Sequence, residues 1–380
     1  MVMFYCSAQP SNIKPFYGAY DQVDWVIKPA MGRSVMSNSF RISGNIAVTK
    51  LLYGQTASVP VTAADQVFLD PFAGIHGIVK NVSSLVNERI IENVSSYARY
   101  VSQKTQATNT LESLTSSSAS IPELKGLLNN VSLALSTGAG GCPFSFKPMV
   151  ALNRSNTDLP VSKFNQMKIL MTLASALECL YCSLPEPSQT ADDHITSLTF
   201  TISNLQLNWY EVPEVSIPRT VFKTTYLTTQ SIVSLNTNLY VTAPTIFDTV
   251  SCSFILQGDR NKVYKNDLLC NYIPSITRLE FTINGLDSPL VYAIGGGASP
   301  PYQDIALNYA KSLEYDTDKN CVLNKLLSES VAFGIGVAFH AQQNSKLGIA
   351  ITLDQNTNFN PSVGGNGLDS YIYTNGYLEV

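Results

Sequence analysis

The chain carries three histidines, His76, His194 and His340, and with them all of its imidazole chemistry. Imidazole is the commonest metal ligand and the usual general base near neutral pH. His76 lies in Gly74-Ile75-His76-Gly77 and His340 ends an apolar strand-like run, so both read as structural residues. His194 follows Asp192 and Asp193 in a polar turn. An Asp-Asp-His run offers ligands to a divalent cation, but a metal site needs further donors converging in space. Cys179-Leu180-Tyr181-Cys182 has the spacing of half a zinc site or of a redox pair. Zinc would need a second pair, and Cys142 with His194 is a contrived complement. A redox pair would sit at a helix N-terminus, whereas this one closes an apolar run ahead of Pro185 and Pro187. These cysteines read as buried structural thiols.

Asp316-Thr317-Asp318-Lys319-Asn320 begins like a calcium loop, but Cys321 replaces the required glycine and Leu327 the terminal glutamate. Gly295-Gly296-Gly297 lacks the Gly-Lys-Ser/Thr that would make a phosphate loop. No Gly-x-Ser-x-Gly elbow occurs. Asp192, Asp193 and Glu211 are the one acidic set that would suit a hydrolase. Sequons at Asn81, Asn93, Asn130 and Asn153 read as products of an Asn- and Ser-rich chain. Arg99, Lys104, Lys262 and Lys265 read as solvated charges. The chain is therefore expected to hold no catalytic, cofactor-binding or metal residue and not to be an enzyme.

The elements that carry these residues are mostly strands. From Ser39 to Leu52, Phe40, Ile42, Ile46 and Val48 fall on one parity, with a kink at Gly44. Further strand-like runs span Gln66–Leu69, Gly77–Val86, Phe144–Leu152, Phe164–Cys182 and Ile195–Val212. After these come Thr220–Leu227, Asn238–Thr242, Thr249–Leu256, Tyr272–Asn284, Val331–His340, Leu347–Leu353 and Tyr371–Val380. Short strands rich in Val, Ile, Thr, Phe and Tyr, separated by turn residues, predict a sandwich or barrel. Helical spacing occurs at Ser95–Gln106, with Tyr97, Tyr100 and Val101 on one face and Asn93 and Ser95 as caps. It recurs after Pro122 and at Gln303–Leu313. Residues 106–141, rich in Ser, Thr and Gly, read as a surface excursion, and 285–303 as a second one.

Pro213 and Pro218 interrupt the pattern near the middle. The expected organisation is an N-terminal segment 1–38, a first β-domain 39–212 with the insertion 106–141, a linker 213–219 and a second β-domain 220–380. The halves echo one another. Each has a strand pair with an Asn turn (Val86-Asn87-Glu88 and Ile283-Asn284-Gly285), then a Tyr-bearing helix, then closing strands. The shared order argues for tandem duplication.

Composition narrows the role. Of 380 residues, 45% are hydrophobic but only 14% are charged, against about 25% in an average soluble domain. The net charge is -4 and basic residues are unclustered, which excludes a nucleic-acid coat. Low charge favours association, and interface cores are depleted in charge. No signal-peptide pattern opens the chain, and the longest apolar run, Ile169 to Cys182, is broken by Glu178. It falls short of the roughly 20 residues of a membrane span. Synthesis in the cytosol is expected.

Ile276 to Leu290, Ile-Thr-Arg-Leu-Glu-Phe-Thr-Ile-Asn-Gly-Leu-Asp-Ser-Pro-Leu, resembles the second-half strand and turn of double jelly-roll major capsid proteins. These are the coat proteins of tailless icosahedral double-stranded DNA phages, adenovirus-hexon relatives and virophages. Ile246–Leu256 with the polar loop Gln257–Asp267 looks like the opening of that module. Phe164–Leu180 followed by Ile195–Tyr210 looks like the close of the first one. The resemblance implies an all-β chain of two tandem eight-stranded antiparallel jelly rolls with a few short flanking helices. It implies pseudo-hexagonal homotrimers that tile an icosahedral shell within a virion. It further implies lateral contacts between capsomers, minor and penton capsid proteins as partners, an internal membrane beneath the shell in some relatives, and no sequence-specific contact with nucleic acid. No cofactor is implied. A minor or vertex capsid protein, a carbohydrate-binding β-sandwich and a two-jelly-roll hydrolase remain as alternatives.

Overall fold

The computed structural model describes residues 2–70, 72–108, 141–217, 219–232, 234–242, 246–268, 276–284, 286–293, 335–338, 346–353 and 367–380. The first half supplies β1 (Phe4–Ala8), β2 (Gln22–Ile27), β3 (Arg33–Val35), β4 (Arg41–Leu52), β5 (Val59–Pro60), β6 (Val67–Leu69), β7 (Val79–Val86) and β8 (Arg89–Val94). Helix α1 (Tyr97–Thr108) follows, then β9 (Cys142–Phe146), β10 (Leu159–Pro160), β11 (Met167–Leu173), the single turn α2 (Ala176–Cys179), β12 (Leu180–Cys182) and β13 (Ile195–Pro213). The second half supplies β14 (Val221–Ile232), β15 (Asn236–Thr242), β16 (Ile246–Leu256), β17 (Ile276–Ile283), β18 (Leu286–Ala293), β19 (Ile335–Ala338), β20 (Lys346–Leu353) and β21 (Leu368–Glu379).

The period-two pattern explains these strands and one irregularity in them. In β13, Leu198, Phe200 and Ile202 point inward, but beyond Asn204 the inward set is Leu205, Leu207, Trp209 and Glu211. The parity flips because Asn204 adopts a left-handed conformation, φ 53°, and the register against β4 shifts between Ser203 and Gln206. One extra residue is thus held as a β-bulge. It faces Gly44, the expected kink, where a Cβ would lie 2.9 Å from the Phe144 ring and 3.1 Å from the Ser203 carbonyl. Phe40, Ile42, Ile46 and Val48 are all buried, as their parity predicts.

The pairing gives each half the same connectivity. In the first half β1 lies beside β13, β13 beside β4 and β4 beside β9, while β2 lies beside β11, β11 beside β7 and β7 beside β8. In the second half the orders are β14-β21-β16-β19 and β15-β20-β17-β18. Counting the main strands of each half from first to eighth, both halves pair first with eighth, eighth with third and third with sixth. Both also pair second with seventh, seventh with fourth and fourth with fifth. That is the double-sheet jelly roll, formed twice. The Asn turns noted in the sequence join fourth to fifth strand in both copies. Asn87 and Glu88 both have positive φ, the requirement of a type I′ hairpin turn, and Asn284 also has positive φ, at 53°.

The sandwiches share one sheet. The eight-stranded order β19-β16-β21-β14-β8-β7-β11-β2 runs across both halves. Among the described residues pairing is antiparallel except at the junction of β8 and β14, a single parallel bridge at Asn93 and Tyr226.

Several expectations need correcting. Residues 1–38, set apart as an N-terminal segment, carry β1, β2 and β3 of the first sandwich. Their signal was weak because β2 is short, although Val23, Trp25 and Ile27 are fully buried. The run Phe164–Cys182 is not one strand but β11, α2 and β12. Its break comes where Ser175 and Glu178 form a capping box, each side chain bonding the other's backbone. The excursion expected at 285–303 opens instead with β18, an eight-residue strand paired to β17 across the Asn284 turn. The helices expected after Pro122 and at Gln303–Leu313 lie outside the described residues, as do His340, Gly295–Gly297, Asp316–Asn320, Asn130 and most of the 106–141 excursion.

Candidate functional site

Among the described residues, the side chains singled out for chemistry do not gather. Glu211 is buried at the far end of β13, where Trp209 donates to it at 3.2 Å and Arg33 approaches at 3.4 Å. Asp192 and Asp193 are exposed just before the near end. At about 3.3 Å per residue, the sixteen steps from Ile195 to Glu211 separate them by roughly 50 Å. The acidic set therefore is no cleft. His76 is buried, with Nδ1 2.8 Å from the Tyr97 hydroxyl, and burial depresses its pKa to about 3. His194 packs its ring on Tyr264, centroids 5.5 Å apart. Cys179 and Cys182 are buried free thiols. Burial raises the pKa of both, and the Cys182 Sγ points to the Asp65 carbonyl at 3.3 Å. Among the described residues no three His, Cys, Asp or Glu side chains group as metal ligands.

What the structure does concentrate is a polar seam where the sandwiches meet. Glu92 of β8 is fully buried. Its carboxylate accepts from the Ala151 N–H at 2.6 Å, from the Thr225 N–H at 2.8 Å and from Arg154. Arg154 also donates to the Thr225 hydroxyl at 3.1 Å. The Thr225 and Tyr100 hydroxyls both reach the Asn375 carbonyl, at 2.8 and 3.0 Å, and the Asn375 amide donates to Thr249 at 3.2 Å. One connected network thus links β8, α1 and the turn at Ala151–Arg154 to β14, β16 and β21. A buried charge is tolerable only when paired and hydrogen-bonded, and here Glu92 and Arg154 pair with each other while two backbone N–H groups complete the carboxylate.

Helix α1 is the wedge of this seam. The residues expected to share one face, Tyr97, Tyr100 and Val101, are buried, and so is the rest of the helix from Tyr97 through Thr105. Tyr97 faces its own sandwich, accepting from the Met149 N–H at 2.8 Å beside His76. Tyr100 stacks on Tyr373 of the other, centroids 5.2 Å apart, and the Tyr373 hydroxyl donates to the Ser96 carbonyl. Arg99 and Lys104, expected in solvent, are 3% and 5% exposed. Arg99 donates to the Asp267 carbonyl at 2.9 Å and lies 4.5 Å over the Tyr371 ring. Ser102 donates to Asp70 at 2.9 Å, and Asn266 donates to the same carboxylate at 2.9 Å. Burial pushes the Asp70 and Asp267 carboxyls above the ordinary range, against the pull of these donors and of Arg99 and Arg260. Asn93, expected as a helix cap, instead accepts from Ser83 at 3.1 Å.

The chain leaving β16 completes the lock. Val263 accepts from the Cys182 N–H at 2.7 Å, and the Tyr264 hydroxyl accepts from the Ile195 N–H at 2.8 Å. Polarity hid this seam from sequence reading: its anchors Glu92, Arg99, Arg154 and Asp267 look like surface residues. The available signal was charge inside otherwise strand- or helix-patterned runs.

Such an arrangement ties the two sandwiches together through buried hydrogen bonds and an ion pair. Comparison of the sequence with family models and with curated proteins gives no match. Comparison of the fold does. The Faustovirus major capsid protein aligns with 100% of this chain and 90% of its own, TM-score 0.65 at 9% identity. A chain of the Sputnik virophage aligns with 100% of this chain and 86% of its own, TM-score 0.59 at 13% identity. The mavirus major capsid protein aligns with 99% of this chain and 90% of its own, TM-score 0.52 at 11% identity. The chain is a double jelly roll, all-β with two tandem sandwiches, and its fold is the one these capsid proteins share.

Proposed function

We propose that this chain is the structural major capsid protein of an icosahedral double-stranded DNA virus, assembling as pseudo-hexagonal homotrimers that tile the shell. The observation that carries the proposal is the pair of complete jelly rolls, identical in strand order, fused through one continuous sheet. Two equivalent sandwiches per chain let three chains present six alike units around an axis, the outline needed to tile a facet. The buried polar seam suits this role, because a shell unit must transmit load without the sandwiches shifting. The low charge content leaves broad surfaces cheap to desolvate in lateral contacts. The sandwiches divide at the stretch 213–219. The chain's place is the virion, its partners further copies of itself together with minor and penton capsid proteins, and its work is structural rather than catalytic.

Light scattering on the purified native protein, with electron microscopy of the same fraction, tests this. The expected mass is about 124 kDa, three times 41.4 kDa, with a compact near-hexagonal outline and larger sheets or shells at high concentration. A monodisperse monomer with no tendency to assemble would refute it and turn attention to glycan binding.

A further inference from the structure

Because both sandwiches repeat one connectivity, every edge of one has a counterpart in the other. At the internal seam the fifth main strand of the first sandwich, β8, meets the first strand of the second, β14. The counterparts of these two edges are β18, the fifth strand of the second sandwich, and β1, the first strand of the first. Among the described residues β18 pairs only with β17, and β1 only with β13.

The two first-strand edges differ in a telling way. On β14, covered by the other sandwich, Phe222, Thr224 and Thr225 are fully buried. On the β1 side the surface is open and apolar. Val2, Met3, Tyr5, Ile13, Phe16 and Tyr20 are 55–72% exposed. Between residues 2 and 20 the only charged side chain is Lys14, and it is paired with Asp21 at 2.8 Å. Six large apolar side chains exposed within one short stretch of chain are more than the scattered singles of an ordinary surface, and such groups mark interaction sites. The same chain already shows what covers the equivalent edge: a fifth-strand edge of a jelly roll.

We propose that the β1 edge, with Met3, Tyr5 and Phe16, docks the β18 edge of a second copy of this chain, repeating between copies the contact that β14 and β8 make within one. The inference rests on the capsid reading and assigns its trimer contact. The contact is head-to-tail rather than two-fold, so the second copy's own β1 edge stays free for a third, and closure of the ring uses each first-strand and each fifth-strand edge once.

A photo-cross-linking amino acid, p-benzoylphenylalanine, in place of Tyr5 tests the assignment on the full chain, after its mass has been measured. The expected result is a trimer whose inter-chain cross-links, mapped by peptide mass spectrometry, fall on residues 286–293. A trimer whose cross-links fall elsewhere, for instance on residues 2–20 of another copy, overturns the edge assignment and leaves the capsid reading standing. A monomer without inter-chain cross-links overturns both. As a second readout, Met3→Glu combined with Phe16→Glu should convert the trimer to monomer with an unchanged far-UV spectrum, whereas Tyr53→Glu, at the opposite end of β4, should not. Retention of the trimer in the Met3→Glu/Phe16→Glu protein would contradict the proposal.

Discussion

Removing Glu92 is the sharpest perturbation of the seam. The Glu92→Ala variant deprives two buried backbone donors, the N–H groups of Ala151 and Thr225, of their acceptor. It also strips Arg154, whose side chain is 11% exposed, of its carboxylate. An unsatisfied buried donor costs about 1–3 kcal/mol, and breaking a buried ion pair costs about 3–5 kcal/mol. These losses overlap, so the expected destabilisation is about 3–5 kcal/mol, a large fraction of the ~5–15 kcal/mol that holds a typical fold. Both tryptophans, Trp25 and Trp209, are in the first sandwich and buried. Tryptophan emission therefore reports that sandwich, while far-UV circular dichroism averages both. In guanidinium titrations at fixed protein concentration the native chain should show coincident transitions. In Glu92→Ala both midpoints should fall and the two probes should separate as the sandwiches uncouple. Glu92→Gln, which keeps one acceptor oxygen, should lie between. A loss under about 1 kcal/mol with coincident transitions would show that the seam is not held by this carboxylate.

Gly141 has φ 68°, and a Cβ there would sit 2.8 Å from the Ile46 carbonyl. Gly141→Ala should therefore destabilise by roughly 2–3 kcal/mol, read as a lower thermal midpoint, and an unchanged midpoint would contradict the strain. The buried neutral ring of His76 has a pKa near 3 against 6.5 unfolded, so its contribution is complete above about pH 6.5 and is lost as pH falls towards 3. Between pH 7.5 and 5.0 that loss is about 2 kcal/mol. His76→Gln should remove this part of the acid sensitivity, which unfolding free energies at the two pH values will check. Asp192→Asn, on an exposed turn far from Glu211, should change stability by less than about 0.5 kcal/mol and leave the native mass unaltered. A large effect on either would reopen the acidic set as a site.

Much of the fold was legible. The inward parity of Phe40, Ile42, Ile46 and Val48, the strand runs after Thr220 and the paired Asn turns follow from local side-chain preferences, which any one segment carries by itself. The helix at Tyr97 was legible as a helix, yet its burial was not. Helical spacing shows which residues share a face, and α1 is covered on every face because two sandwiches close on it. The N-terminal strands were missed because β1 and β2 are short and gain their order from β13 and β11, more than a hundred residues away.

The candidate site divides the same way. The chain's own residues determined an all-β architecture, its duplication, its low charge and the lack of any recognisable catalytic constellation, since these are properties of composition, period and spacing. Only the tertiary structure decided that Glu92, Arg154, Thr225 and Asn375 meet, that Arg99 is buried against Asp267, and that the β1 edge stays open while its counterpart is covered. A charged side chain in a sequence carries no sign of its surroundings. Its burial depends on partners supplied by distant strands, and those partners are set by how the two sandwiches come together.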